Sequence, residues 1–433
     1  MAIAPGAPDD GSTLLTSAAV DDLLRAAVGH AGGELLSWRM DHVDARPGHS
    51  TTVTYAAAVQ WPTGRRSELL GASARTSGPR GNDDRAVLFG DGERAVAVWL
   101  YPNDPDLPGL ARAAVADRLA ELFTEHDVAG RPLRGRDLRL EVVSYRPRRR
   151  AVLRVLLHGG SGAGPRGAPT TYYVKVLRES SFGPALERHQ LLSRAGICAP
   201  EVLAATRDCV LVLRAVEGRP LAAALFDEAV PCTAEDLVAL LDSLPVTAAA
   251  LAPRPPWAEA VAAYAQTVEA VLPELAPRLR RLCGEITAGL AGTSRDGREA
   301  THGDFHEGQL FVAGGRVTGL IDVDTVGPGR RVDDLGCLLA HLSTVQRMSV
   351  EQTASLARLV RLWLPVFDRR VDPAELRLRA AAVVVSLATG PYRGQEPAWR
   401  AETVAMVGTA ESLVASASGR LVRTSEGYSP LSF

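Results

Sequence analysis

The alternation of apolar and polar positions changes period along the chain. Leu14–Val28 carries apolar residues at helical spacing and predicts a helix ending near Gly29. Strand-like runs follow at Glu34–Val43, Thr51–Trp61, Ser67–Thr76, Ala86–Phe89 and Ala95–Tyr101, with turn signals at Thr63-Gly64 and Asp91-Gly92. Gly78–Asp84 reads as a polar loop, Pro102–Pro108 as a rigid connector and Leu110–Phe123 as a helix. Leu138–Tyr145, Ala151–His158 and Thr171–Leu177 then read as successive antiparallel strands. A helix is expected to open at Gly183-Pro184 and stop at Gly196, because proline suits a first turn and glycine follows a last one. Pro200–Ala204 and Cys209–Leu213 complete a set of five strands.

Beyond Glu217-Gly218-Arg219-Pro220, read as a hinge, the period is helical. Helices are expected at Leu221–Phe226, Ala234–Leu244, Trp257–Leu272, Ala276–Leu290, Cys337–Ser343, Val350–Phe367, Pro373–Leu387, Thr389–Trp399 and Arg400–Ser418. Two short strands, Leu310–Val312 and Arg316–Ile321, interrupt them about a Gly314-Gly315 turn. The pattern predicts an α+β chain in three parts: a small α+β unit over 1–109, a β-rich unit over 110–216 and a helical unit over 217–433.

Composition narrows the function classes. A length of 433 residues suits two or three domains. A net charge of −2 supplies no bulk field for nucleic acid or for an acidic partner. No apolar run reaches membrane-spanning length, and Met1–Ser12 lacks the basic-then-apolar pattern of a leader, so a cytoplasmic location without membrane partners is expected. Cys198, Cys209, Cys232, Cys283 and Cys337 are scattered, with no CxxC pair. They read as buried thiols in a reducing compartment rather than a disulfide frame or zinc site. Lys175 is the only lysine; every other basic residue is arginine. A compact ammonium retained on a strand in such a chain points to chemistry that a planar guanidinium does not serve, with chance survival as the plain alternative.

The densest chemistry lies in Thr301-His302-Gly303-Asp304-Phe305-His306-Glu307-Gly308-Gln309 and in Leu320-Ile321-Asp322. An acid on a loop is followed by an amide five residues on and by a second acid eighteen residues on. Phosphoryl transfer needs this set: a carboxylate to take the acceptor's proton, and an amide oxygen with a carboxylate to hold Mg²⁺. The bland reading is a capped helix and a surface hairpin. Lys175 on a strand and Glu187 on the next helix match the clamp on nucleotide phosphates; Glu187 also suits a solvent-facing helix position. Asp333 or Asp334 is expected to cap the following helix, and one of them to brace the catalytic loop.

Gly162-Ala163-Gly164-Pro165-Arg166-Gly167 matches G-x-G-x-x-G but sits between two strands, where a dinucleotide site needs a strand and a helix. It reads as a hairpin loop. The turn joining the first two strands of this unit, Arg146-Pro147-Arg148-Arg149-Arg150, is the better phosphate-facing candidate, a solvated basic turn being its alternative.

With these residues the chain resembles the aminoglycoside phosphotransferase superfamily, over roughly 137–418. The resemblance implies a bilobal protein-kinase-like fold, with a β-rich N-lobe, a mainly helical C-lobe and ATP and Mg²⁺ as cofactors. By the match, Asp304 is the catalytic aspartate, Gln309 and Asp322 are the magnesium ligands, and Lys175 with Glu187 forms the clamp. Arg146, Arg150, Leu213 and Val216 fall where that family holds its nucleotide. Many relatives carry asparagine where this chain has Gln309. The glutamine resembles the maltokinase-like branch, which carries an extra N-terminal cap such as 1–109 would supply. Gly319–Asp334 and Ala388–Gln395 with Trp399 look like an actinobacterial subgroup with glucosamine kinase activity.

The resemblance therefore implies a kinase phosphorylating a small amino sugar, glucosamine, to glucosamine 6-phosphate. Acceptor candidates are His306, Glu307, Asp304, Tyr392, Trp399, Glu402 and Glu411. The tyrosine and tryptophan would offer aromatic faces, and the late glutamates a counter-ion for an amine. His306 also reads as a loop-packing residue and Trp399 as core. Expected partners are ATP and a sugar, with the chain acting as a monomer or homodimer. Competing readings are a maltose or aminoglycoside kinase, a nucleotide-binding pseudokinase scaffold, and an assembly protein whose cap binds a partner.

Overall fold

The computed structural model describes residues 10–78, 85–90, 95–158, 169–293, 297–345 and 348–419. The Asp91-Gly92 turn, nearly all of the Gly78–Asp84 loop and the Gly162–Gly167 loop expected from the sequence lie outside the described residues. Two compact units emerge: one comprises residues 1–186, 201–215 and 392–397, the other 187–200, 216–391 and 398–433. The regions 1–109 and 110–186 thus belong to one unit. No helix among the described residues is long and apolar enough to cross a membrane.

The first unit holds two five-stranded antiparallel sheets. Helices α1 (Ser12–Leu15) and α2 (Asp21–His30) precede β1 (Glu34–Arg46), β2 (Ser50–Trp61), β3 (Gly64–Arg75), β4 (Val87–Gly90) and β5 (Ala95–Leu100), in spatial order β1-β2-β3-β5-β4. The single helix expected over Leu14–Val28 is broken: Ser17 leaves the helical region and accepts the Ala19 N–H through its hydroxyl. Along β2 every second side chain, Val53, Tyr55, Ala57 and Val59, is buried against Leu24, Ala27 and Val28 of α2.

Helices α3 (Leu110–Ala113) and α4 (Ala116–Glu125) lead to the second sheet: β6 (Leu138–Arg146), β7 (Arg150–Leu157), β8 (Thr170–Leu177), then, after α5 (Glu179–Arg194), β9 (Val202–Ala205) and β10 (Val210–Arg214). Its order is β6-β7-β8-β10-β9. Leu153, Val155, Val174 and Val176 pack with Leu119, Leu122 and Phe123 on one face. The alternate positions of β8 and β10 form a separate apolar patch, with Leu177, Leu211 and Leu213 against Ala185 of α5. Lys175 shares that second register, paired with Val152 and Leu211, and is buried. Helix α5 starts at Glu179 rather than at Gly183-Pro184, so Pro184 lies inside it and withholds one N–H from the ladder.

The connector 102–108 is a buried polar knot. The Asp104 carboxylate accepts the Tyr145 hydroxyl (2.7 Å), the Arg148 N–H (2.8 Å) and the Asp106 N–H (2.9 Å). Tyr145 in turn accepts the Trp99 indole N–H at 2.9 Å, which ties β5 of the first sheet to β6 of the second. Such a network holds one geometry because any missing partner leaves a buried group unpaired.

The second unit is helical except for short strands. It contains β11 (Arg219–Pro220), α6 (Leu221–Ala224), α7 (Ala234–Asp242), α8 (Val261–Val271), α9 (Ala276–Leu290), β12 (Glu299–Thr301), β13 (Leu310–Ala313), β14 (Arg316–Leu320), β15 (Gly327–Gly329), α10 (Arg331–Ser343), α11 (Val350–Arg370), α12 (Pro373–Leu387), α13 (Gly390–Arg393) and α14 (Trp399–Ala417). Residues 392–393, at the end of α13, fall in the first unit. The helix expected over Thr389–Trp399 shrinks to the single turn of α13. Helix α12 is buried nearly throughout and packs on α10 and α14, which makes it the axis of this core. The β-rich first unit and helical second unit are the α+β, protein-kinase-like arrangement expected from the sequence.

Candidate active site

The loop 301–309 is held by its backbone. Thr301 pairs across β12–β15 with Gly327, and its hydroxyl donates to the Gly327 carbonyl at 3.0 Å. Gly303 sits at φ +80°, and a Cβ there would lie 2.7 Å from the Thr325 carbonyl oxygen, so only glycine fits. The fully buried His302 ring meets the Ile321 carbonyl at 3.0 Å, and Thr325 Oγ1 donates to the His302 carbonyl at 2.8 Å. Segment 301–303 is thus stitched to segment 321–327.

The β13–β14 hairpin completes the assembly. Gly314 and Gly315 both have positive φ, as a tight two-residue turn requires. Leu310 pairs with Leu320, and the Ile321 N–H donates to the Gln309 carbonyl at 2.8 Å. Residue 321 therefore touches His302 through its oxygen and Gln309 through its nitrogen. Asp322 follows in the left-handed region, at φ +53°, a conformation that aspartate tolerates better than most residues. Asp304, Gln309 and Asp322 are half-buried, and the charges of both Asp304 and Asp322 act on His306.

Asp334 braces this loop, and it does not cap α10. The helix begins at Arg331, two turns earlier than expected, with Arg330 at its N-cap, so Asp333 and Asp334 lie inside the first turn. Asp333 pairs with Arg379 of α12. Asp334, 1% exposed, accepts the His302 N–H at 2.9 Å and the Gly303 N–H at 2.8 Å. Burial pushes its carboxyl up to about 6, against the pull of those bonds and of Arg331. Asp334→Ala strands two buried N–H groups, each costing about 1–3 kcal/mol. It is expected to lower stability by about 2–6 kcal/mol in a denaturant melt and to reduce turnover with it.

Around Asp304 stand His306, Glu307, Cys337 and His341. The His306 and His341 rings stack, 4.0 Å apart and 6° from parallel. Burial pushes His341 down to about 3 and lowers His306, so both imidazoles are neutral near pH 7. Gly308 donates its N–H to His306 Nδ1 at 3.1 Å. Burial pushes Glu307 up to about 7, and its Oε2 has no hydrogen-bond partner. Cys337 Sγ lies 4.0 Å from Asp304 Oδ1. Sequence reasoning missed Cys337 and His341, which stand four apart on α10 and so face one way; their spacing was the available signal.

The remaining predicted residues are distributed as follows. Lys175 belongs to the first unit, and Asp304, Gln309 and Asp322 to the second. Glu187 is exposed on α5, while Arg188 and His189 point inward; Arg188 Nε donates to the Val326 carbonyl at 2.7 Å. Leu213 is buried on β10, and Val216 packs beside Gly319. In the 146–150 turn Arg148 is buried against Asp106, Arg149 reaches Asp44 at 3.4 Å, Arg146 is exposed and Arg150 half-buried. Tyr392 packs on the core of the first sheet, and Arg393 reaches Asp44 at 3.5 Å. Trp399 packs on the helical core, with Arg400 over its ring at 4.4 Å. Tyr392 and Trp399 thus belong to different units. Glu402 is half-buried on α14. Glu411 is bound by Arg278 at 2.7 Å and Arg281 at 3.1 Å, which leaves its charge already matched.

An antiparallel sheet carrying a buried lysine, and a helical unit with an aspartate loop and a hairpin-borne aspartate, are the parts of a protein-kinase-like fold. The chain belongs to the phosphotransferase enzyme family, whose sequence profile matches residues 143–371, more than half its length. No curated protein matches the chain. Among solved structures it is similar to a thermostable mutant of aminoglycoside phosphotransferase APH(4)-Ia in ternary complex with AMP-PNP and hygromycin B, at 12% identity, covering 65% of this chain and 94% of that one, TM-score 0.47. It is also similar to the macrolide 2'-phosphotransferase MphH of Brachybacterium faecium, at 18% identity, covering 68% and 98%, TM-score 0.42. A choline kinase from Cryptosporidium parvum aligns at 8% identity, covering 68% and 94%, TM-score 0.47.

Proposed function

We propose that the chain is an ATP- and Mg²⁺-dependent kinase that transfers the γ-phosphoryl group to a hydroxyl of a small amino sugar, glucosamine, giving glucosamine 6-phosphate. The observation that carries the reading is the backbone stitching that sets Asp322 beside Gln309 on the loop bearing Asp304. Gln309 and Asp322 offer an amide oxygen and a carboxylate, hard donors that suit Mg²⁺. When bound, the ion neutralises charge on the terminal phosphates. Lys175 contributes a further positive charge to phosphate oxygens. Asp304 orients the sugar hydroxyl and takes its proton as the phosphoryl group leaves. Each part works by position and charge, which is most of what phosphoryl transfer asks of a protein.

The amine is assigned to Glu307. Its Oε2 is buried without a hydrogen-bond partner, three residues from the base, whereas Glu411 is already matched by two arginines. An ammonium beside Glu307 relieves the cost of burying that carboxylate. The test is ADP release with ATP, Mg²⁺ and a panel of glucosamine, maltose and a multi-amine antibiotic. Glucosamine is expected to give a kcat/KM at least about tenfold above the others, a gap of about 1.4 kcal/mol. Preference for maltose or the antibiotic overturns the assignment.

A further inference from the structure

We propose a zinc site at Asp304, Cys337 and His341, through which a transition metal silences the loop. A carboxylate oxygen, a thiol sulfur and an imidazole nitrogen from these residues lie within 4.8 Å of one another. In a tetrahedral site, bonds of about 2.0–2.3 Å put neighbouring ligand atoms roughly 3.3–3.6 Å apart. The 4.0 Å between Cys337 Sγ and Asp304 Oδ1 is therefore close to a liganded geometry. The pairs that include His341 lie within 4.8 Å and have more to close.

Local structure explains the convergence. Cys337 and His341 are four apart on α10, hence on one face, as in helical zinc motifs. Asp304 arrives on a loop that the same helix anchors through Asp334. One helix thus supplies two donors and anchors the loop that brings the third. Donor chemistry chooses the ion. Sulfur, nitrogen and oxygen together suit Zn²⁺, whereas the oxygens of Gln309 and Asp322 suit Mg²⁺. Cys337 is buried, so water does not compete at its sulfur. Binding forms a sulfur–zinc bond and releases the Cys337 proton to solvent; no electron moves.

The consequence is inhibition that Mg²⁺ does not reverse. A carboxylate committed to zinc no longer accepts a proton from a sugar hydroxyl. That arm rests on Asp304 being the base; the binding arm does not.

The experiment titrates the full-length protein, free of nucleotide and chelator, with Co²⁺ as the spectroscopic probe, and then with Zn²⁺ by calorimetry. A sulfur-to-cobalt charge-transfer band is expected in the unsubstituted protein and absent in Cys337→Ser. Loss of one ligand is expected to weaken zinc binding by at least about tenfold in Cys337→Ser and in His341→Ala. In assays with excess Mg²⁺, and with each protein measured against its own zinc-free rate, zinc is expected to inhibit the unsubstituted enzyme at concentrations about tenfold lower than it inhibits Cys337→Ser. A cobalt spectrum without a sulfur band overturns the site. Equal zinc inhibition of both proteins overturns the regulatory role. Cobalt binding with its sulfur band in a protein that phosphorylates nothing keeps the site and removes the kinase reading. If Cys337→Ser fails to fold, the cobalt spectrum of the unsubstituted protein still decides.

Discussion

Asp304→Asn is expected to lower kcat by about 10²–10⁴-fold while KM for ATP and for the sugar changes by no more than a few-fold. Asparagine keeps the size and planarity of the side chain but does not take a proton. The neighbouring restraints do not depend on its charge. The His302 and Gly303 N–H groups stay on Asp334, and the loop stays stitched to residues 321–327. The variant therefore isolates the chemical step from the fold. Steady-state kinetics with both substrates varied reads the result. More than about a tenth of normal turnover in the variant moves the base elsewhere, since general-base catalysis supplies at least about 10²-fold.

Asp322→Asn is the second large effect. The residue occupies the left-handed region, at φ +53°, and asparagine is at home there, so the backbone is not strained by the change. What goes is one negative charge beside Gln309. Apparent affinity for Mg²⁺ is expected to fall by about 10–100-fold, with kcat/KM falling by about 10²–10³-fold at low Mg²⁺. Adding Mg²⁺ is expected to restore part of the rate, which distinguishes a lost metal ligand from a damaged loop. Asp322→Ala is a poorer probe because it adds backbone strain to the loss of charge. A variant with an unchanged Mg²⁺ requirement removes Asp322 from the metal site.

Much of the fold was legible because the period of the pattern is local. Many strands of the first unit follow from alternation and turn signals, as β2 shows with Val53, Tyr55, Ala57 and Val59 turned inward. Helix α12 was legible to the residue because Asp372 and Pro373 mark its start. Boundaries set by long-range partners were not. Helix α5 continues upstream of Pro184, where proline chemistry alone places a start. Helix α10 begins at Arg331 because its N–H bonds the Glu299 carboxylate, thirty-two residues away. No local rule foretells that contact.

The candidate site divides along the same line. The nearness of Gln309 to Asp322 was legible because a hairpin of fixed length joins them. Brace and neighbours were less so. Asp333 or Asp334 was expected to cap the helix and one of them to brace the loop; the capping part fails, and Asp334 is the brace, 31 residues from Gly303. Cys337 and His341 carry no CxxC signature, and their meaning appears only once Asp304 faces them. The late aromatic residues were close in sequence only. Tyr392 and Trp399 are seven apart in sequence, but they pack on different cores. Glu411 looked available until two arginines met it.

The reaction proposed for this chain moves a phosphoryl group from ATP to a sugar hydroxyl with Asp304 as the base. Phosphorus NMR of the protein with ATP, Mg²⁺ and glucosamine reads that bond directly. A phosphomonoester signal is expected to grow as the γ-phosphate signal of ATP fades, and to stay undetected over the same interval with Asp304→Asn. Loss of γ-phosphate to inorganic phosphate alone, or an equal phosphomonoester yield from the variant, would contradict it.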